Sequence, residues 1–275
     1  MPAESSASPG PAMRDRLWIL ASLIAVSAIS WLYLIHLSRQ MQAAGDMAGM
    51  DASMPDMPDM AASAMSSMPI AWTAGDFALM FAMWWVMMVG MMLPSASPMI
   101  LTFATVNRRK RERGEPFLPT VVFTAGYLLM WAGFSLCATL AQWGLERASL
   151  LLPSMRTSGP VVGAIFYLAA GVYQWTPLKR ACLAKCRSPL DFVINRWHDG
   201  WVGALRMGIE HGAYCLGCCA ALMALLFVGG VMNLLWVAAV AAFVLVEKLF
   251  PAGEWIARAS GVLMIAFGGY LLASA

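Results

Sequence analysis

Charge is what this sequence has least of. Asp, Glu, Lys and Arg make up 12% of its 275 residues, where a soluble domain carries about 25%. Beside a hydrophobic content of 60%, that shortage excludes an ordinary soluble domain. It points to a chain that crosses a membrane several times. No glycine-rich dinucleotide fingerprint, phosphate loop or serine–histidine–aspartate arrangement is present, so nucleotide-driven work and serine-type hydrolysis have no motif here. The net charge of +3 is small and unevenly placed, which speaks to topology and not to a nucleic-acid partner. The six cysteines fall in apolar or cytoplasmic stretches, so they do not make an extracellular disulfide framework.

Lys and Arg are missing altogether between residues 41 and 68. That stretch holds eight methionines and four aspartates. Pro55, Pro58 and Pro69 discourage regular structure there, and the segment is expected to be disordered. Thioethers are soft ligands that select copper(I), and carboxylates receive a harder cupric ion. Met47, Met50, Met54, Met57 and Met60 place several sulfurs within reach of one ion. Low-complexity drift in a linker is the competing reading.

What the chain does have is a series of apolar runs. Leu17 to Leu37 reads as a first spanning helix, retained or cleaved, behind a short tail ending in Arg14 and Arg16. Phe77 to about Ala104 is the second. In it Met80, Met83, Met87 and Met91 follow helical spacing beside Trp84 and Trp85, as packing or as a metal track. Pro94 cannot donate to the Gly90 carbonyl, so a kink or break is expected there. Arg108 to Arg113 forms a basic, cytoplasmic loop. Further spans are expected at Phe117–Gln142, Gly159–Trp175, about Val202–Val228, Leu234–Val246 and Ile256–Leu272. Between the fourth and fifth, Thr176-Pro177 opens a short cytoplasmic helix. It carries Cys182 and Cys186 among Lys179, Arg180, Lys185 and Arg187, and cations beside thiols favour the thiolate. Seven helices follow, with the N-terminus inside and the C-terminus outside.

The fifth run carries the chemistry. On a helix, His211, Cys215 and Cys218 fall at i, i+4 and i+7, and Cys219 lies one turn after Cys215. Polar, reactive groups at mid-bilayer depth are expected to look into the bundle. Thiolate with imidazole suits copper(I) or zinc. Against this stands the reading of cysteine as a small buried hydrophobe. One helix seldom closes a tetrahedral site, so the missing ligands are expected from a facing helix, with Met87 and Met91 the candidates. Glu210 and Glu247 are expected to pair with Arg206 and Lys248.

Three stretches carry a resemblance. They are Trp85-Val-Met87-Met88-Val-Gly90-Met91-Met92-Leu-Pro94-Ser95 with Pro98-Met99, and Gly171-Val-Tyr173-Gln174-Trp-Thr176-Pro177-Leu178-Lys179 with Cys182 and Cys186-Arg187-Ser188-Pro189. The third is Gly212-Ala-Tyr214-Cys215-Leu216-Gly217-Cys218-Cys219, with Leu222-Met223, Gly230-Val-Met232-Asn233 and Glu247-Lys248. Over about residues 75–260 the chain resembles a bacterial family of uncharacterised integral membrane proteins labelled "predicted metal-binding". Ala220 stands where that family is expected to have a tryptophan. The resemblance implies a metal-linked role in the inner (cytoplasmic) membrane.

The resulting expectation is an all-α, polytopic helix bundle. Residues 1–40 form a cytoplasmic tail and first helix, 41–70 an external Met/Asp segment, and 71–275 a six-helix core. Its function is copper handling by capture, transfer or homeostasis, with zinc the alternative ion. The implied partners are the bilayer, the ion and a copper chaperone or cuproenzyme. The rivals are a membrane thiol-disulfide oxidoreductase using Cys215-x2-Cys218, and a structural subunit without ligand. Enzymatic activity is not the favoured reading.

Overall fold

The computed structural model describes residues 11–51, 72–114, 119–151 and 155–275. Among them the regular structure is helical. In chain order the elements are α1 (Pro11–Asp51), α2 (Ala74–Glu112), α3 (Thr120–Arg147), α4 (Pro160–Gln174), α5 (Pro177–Arg187), α6 (Pro189–Asn195), α7 (Gly200–Ala224), α8 (Leu226–Gly229), α9 (Leu234–Leu249) and α10 (Gly253–Ala273). A helix satisfies its own backbone polar groups, which an apolar run in lipid must do.

Five helices are long and apolar enough to cross a membrane: α1, α2, α3, α7 extended by α8, and α10. A sixth span arises when α4 and α5 are taken together across their 66° bend. The seven expected spans are therefore not all present as full-length helices. The reason is length. Crossing needs about 20 residues, whereas α4 has 15 and α9 has 16. At the N-terminal side α1 continues to Asp51, so the expected irregular segment begins later than residue 41.

Local signals explain the element ends. Thr73 and Asp76 cap α2 reciprocally: the Asp76 N–H donates to Thr73 Oγ1 at 3.2 Å and the Thr73 N–H to Asp76 Oδ2 at 2.9 Å. The expected break at Pro94 does not occur, and α2 runs on through Pro94 and Pro98. The carbonyl of Pro94, left without a donor by Pro98, accepts from Ser97 Oγ at 2.8 Å. Thr176 caps α5 by accepting from the Lys179 N–H at 3.2 Å, and Pro177 takes its first position.

Small residues set the helix seams. Where α3 meets α7, a Cβ on Gly126 would lie 2.2 Å from the Leu205 carbonyl oxygen, and one on Gly208 would lie 2.0 Å from that of Phe123. Where α4 meets α10, a Cβ on Gly171 would lie 2.8 Å from the Gly261 oxygen. Helices in lipid associate by such close backbone approach, because lipid supplies no hydrophobic drive between them. The core is rich in sulfur and aromatics. Met83, Met87, Met88, Met91 and Met92 are all buried on α2 with Trp84, whose indole N–H donates to Gln142 Oε1 at 2.8 Å.

The two ends of the bundle differ in charge. At one end Arg16 donates to Thr105 at 3.1 Å, and Lys110 lies 3.4 Å from Asp199 and over the Trp197 ring. At the other end Trp72 donates to Glu146 at 2.9 Å, and the Val231 N–H donates to the Met155 carbonyl.

One ion pair sits in the core. Lys179 Nζ on α5 lies 2.8 Å from Glu247 Oε2 on α9, with both side chains at most 2% exposed. Gln174 Nε2 donates to the other carboxylate oxygen at 3.0 Å. The sequence reading paired Glu247 with Lys248; the structure gives it Lys179 instead. Removing one member of a buried pair leaves an uncompensated charge at about 3–5 kcal/mol. Lys179→Met is therefore expected to lower thermal stability in detergent sharply, and Lys179→Met/Glu247→Met to recover most of the loss. Equal instability of single and double variants would show that the pair is not the relevant interaction.

Candidate metal centre

The face anticipated on α7 exists. Cys215, Cys218 and Cys219 are each at most 2% exposed. The Cys218 and Cys219 thiols donate to the Cys215 carbonyl at 3.0 and 2.9 Å, so both point back along the helix toward Cys215.

Four other elements close on this face. The bend between α4 and α5 folds α5 against α7. Gly217 permits the approach, since a Cβ there would lie 2.6 Å from Cys182 Sγ. The Tyr173 hydroxyl donates to the Gly217 carbonyl and pins the same point. Cys186 Sγ then sits 3.9 Å from Cys218 Sγ. From α2, Met92 Sδ lies 4.0 Å from Cys219 Sγ. From α3, the Tyr127 hydroxyl lies 3.2 Å from Cys215 Sγ and donates to the Met92 carbonyl, also at 3.2 Å. From α9, Lys248 Nζ lies 2.9 Å from Cys215 Sγ and 3.1 Å from Ser95 Oγ.

The sequence placed Cys182 and Cys186 in a separate cytoplasmic site. Here Cys182 is buried and Cys186 half-buried against α7, so all the thiols but Cys137 form one cluster. Cys137 is exposed on α3. His211, one turn from Cys215, packs among rings instead: its centroid lies 5.6 Å from Phe192, 5.8 Å from Tyr127 and 6.2 Å from Phe123. Its Nδ1 is buried and has no hydrogen-bond partner among the described residues. Met87 and Met91 are buried on α2, while Met92 is the thioether that reaches a thiol. Met47 and Met50 fall within α1, with side chains outside the described residues. Met54, Met57 and Met60 lie outside the described residues altogether.

Sequence reasoning missed Lys248, Tyr127, Ser95 and Met92. For Lys248 a signal was present, because an ionisable residue inside an apolar bundle marks a functional site by default. Its presumed partner Glu247 concealed it.

Chemically, the cluster suits a soft ion of low coordination number. Two metal–sulfur bonds of about 2.3 Å each span at most ~4.6 Å between sulfurs, and the Cys186–Cys218 separation of 3.9 Å lies within that reach. Among the described residues no three His, Cys, Asp or Glu side chains are grouped to hold an ion. The arrangement is pairwise, with a thioether beside it, as copper(I) accepts. The ammonium of Lys248 is the counter-charge that a thiolate needs in an apolar interior.

The model of a family described as PpoB2, copper chaperone, matches residues 81–271, a span that includes every residue of this cluster. No curated protein and no solved structure matches the chain.

Proposed function

This chain belongs to the PpoB2 copper-chaperone family, and from that premise we propose that it is an integral membrane protein that receives copper(I) in its buried thiol cluster and hands it on. Copper handling in general follows from the family. The observation that carries the finer reading is the convergence of Cys186, Cys215 and Cys218 beneath Lys248, with Cys186–Cys218 at 3.9 Å and Cys215–Lys248 at 2.9 Å. Cys215 and Cys218 are the principal ligands, Cys186 on α5 is the alternative partner for Cys218, and Met92 stands by as a neutral donor. His211 supports the cluster through packing.

The proposed route runs from the external Met/Asp segment, through Met47, Met50, Met54, Met57 and Met60, past the buried methionines of α2 to the cluster. Cys182 and Cys186 on α5 form its cytoplasmic side. The basic end of the bundle faces the cytoplasm by the positive-inside rule. The N-terminus then lies inside and the C-terminus outside, in a bacterial inner membrane.

The test is elemental analysis of the purified full-length protein after exposure to both copper and zinc under reducing conditions. Copper retained through chelator washes, with all six cysteines titratable once it is stripped, is the expected result. The same 3.9 Å separation favours one second reading, a dithiol pair of Cys186 and Cys218. A protein without metal but with a reducible intramolecular disulfide would make that reading the better one. Deleting residues 52–68 is expected to leave stable, membrane-inserted protein with a lower copper content. Heavy loss of inserted protein would show that the segment packs against the bundle.

A further inference from the structure

Lys248 is a buried charge with no carboxylate partner among the described residues. Glu247, its sequence neighbour, is engaged by Lys179 at 2.8 Å and by Gln174 at 3.0 Å. Lys179 and Glu247 cancel each other. The Lys248 side chain, 7% exposed, reaches Cys215 Sγ and the Ser95 hydroxyl and is held by them. Ser95 carries no charge, so balance has to come from sulfur. A buried, unbalanced charge is expensive in a low-dielectric interior, so the total charge of ion, thiolates and ammonium decides which ion is held.

Building on the copper-binding reading above, we propose that Lys248 is a specificity-determining residue, whose fixed positive charge makes the thiol cluster prefer a monovalent over a divalent soft cation. The count is simple. Lys248 Nζ lies 2.9 Å from Cys215 Sγ. When copper(I) binds between Cys215 and a second cysteine, both sulfurs bind as thiolates, any proton they carried goes to solvent, and two metal–sulfur bonds form. Two thiolates, one copper(I) and one ammonium sum to zero. With zinc(II) in the same two-thiolate site the sum is +1, buried. Without Lys248 the order reverses, since two thiolates and zinc(II) are neutral while two thiolates and copper(I) carry −1. Cys186 and Cys218 approach to 3.9 Å, Cys218 lies one turn from Cys215 on α7, and no three of the metal-binding side chains are grouped among the described residues, so the cluster offers two-thiolate sites. Lys248 does not coordinate the ion. It acts through Cys215, and the sequence gives it that place by following Glu247 directly, on a different face of α9.

The experiment uses the full-length protein in detergent, titrated with copper(I) and separately with zinc(II) against chelators of known affinity. Lys248→Met and Lys248→Gln are expected to move the zinc-to-copper preference toward zinc by about 10–100-fold, the scale on which residues next to metal ligands act. Lys248→Arg, which keeps the charge, is expected to retain the wild-type preference. A merely structural lysine would alter yield or stability and leave that ratio alone. An unchanged ratio in both neutral variants overturns the proposal, as does a shift toward copper, the opposite of what loss of a nearby positive charge produces. Failure of both neutral variants to accumulate while Lys248→Arg accumulates normally also overturns it, by making Lys248 a structural counter-ion. Each of these leaves copper binding by the wild type intact, whereas a wild type that binds no copper(I) removes the functional reading itself.

Discussion

Cys215→Ser and Cys218→Ser are each expected to abolish chelator-resistant copper binding while leaving the amount of membrane-inserted protein nearly unchanged. The two halves of this outcome have separate causes. A hydroxyl is a hard, weakly acidic group and a poor ligand for copper(I). Loss of a direct ligand should exceed the roughly 10–100-fold effect of changing a residue beside one. The fold, by contrast, loses little. Serine is close in size to cysteine, and a hydroxyl at 215 can still meet Tyr127 and Lys248, which lie 3.2 and 2.9 Å from the sulfur it replaces. At 218 a hydroxyl can still donate to the Cys215 carbonyl, as the thiol does at 3.0 Å. Met92→Leu is expected to weaken binding partially, since its thioether lies 4.0 Å from Cys219 and not at the centre of the cluster. Cys137→Ser, on the exposed face of α3, serves as the comparison and should change nothing. The measurement is copper per protein after dialysis against a chelator. Full copper retention in both Cys215→Ser and Cys218→Ser would identify the cluster as packing and favour a ligand-free structural role.

Gly208→Ala is expected to be among the most damaging small substitutions in the bundle. Its new methyl group would stand 2.0 Å from the Phe123 carbonyl oxygen and 3.0 Å from the Tyr127 nitrogen. Both are backbone atoms of α3, so no side chain can rotate away and the two helices must separate. Overpacking typically costs about 1–3 kcal/mol, and a clash with backbone belongs at the upper end. The seam also places Tyr127, whose hydroxyl touches Cys215, so copper affinity should fall with stability. Gly133→Ala, on α3, meets nothing within 4 Å. It should be neutral or slightly stabilising, because glycine inside a helix is about 0.5–1 kcal/mol worse than alanine. Thermal unfolding of the two variants in detergent separates the cases. Equal stability of Gly208→Ala and wild type would mean that the α3–α7 seam is looser than described here.

The candidate site shows where a sequence reading stops. The thiol face of α7 was legible because all its members lie on one helix, and the positions 215, 218 and 219 follow from helical geometry alone. What faces them was not. The sequence points to Met87 and Met91 on α2, whereas the thioether 4.0 Å from a thiol is that of Met92, and one residue on a helix is a rotation of about 100°. Glu247 and Lys248 looked like a pair because they are adjacent, but successive helical residues diverge. One turns to Lys179 and the other to Cys215. Cys182 and Cys186 looked like a separate cytoplasmic site because their surroundings in sequence are cationic. The 66° bend before α5 and the small Gly217 lay them on α7 instead.

The amino-acid sequence by itself determined that this is an all-α protein with several membrane-length helices, and that five of its six thiols lie on α7 and α5. Those properties depend on composition and on spacing within single segments, which any helix in lipid must express in the same way. Only the tertiary structure decided that α4 and α9 fall short of full spans, that α2 carries its prolines without a break, and that four elements bring Cys186, Met92, Tyr127 and Lys248 to the α7 thiols. Those outcomes depend on how helices rotate and approach one another. That is set by glycine contacts, buried ion pairs and orphaned carbonyls between distant segments, and no local pattern encodes it.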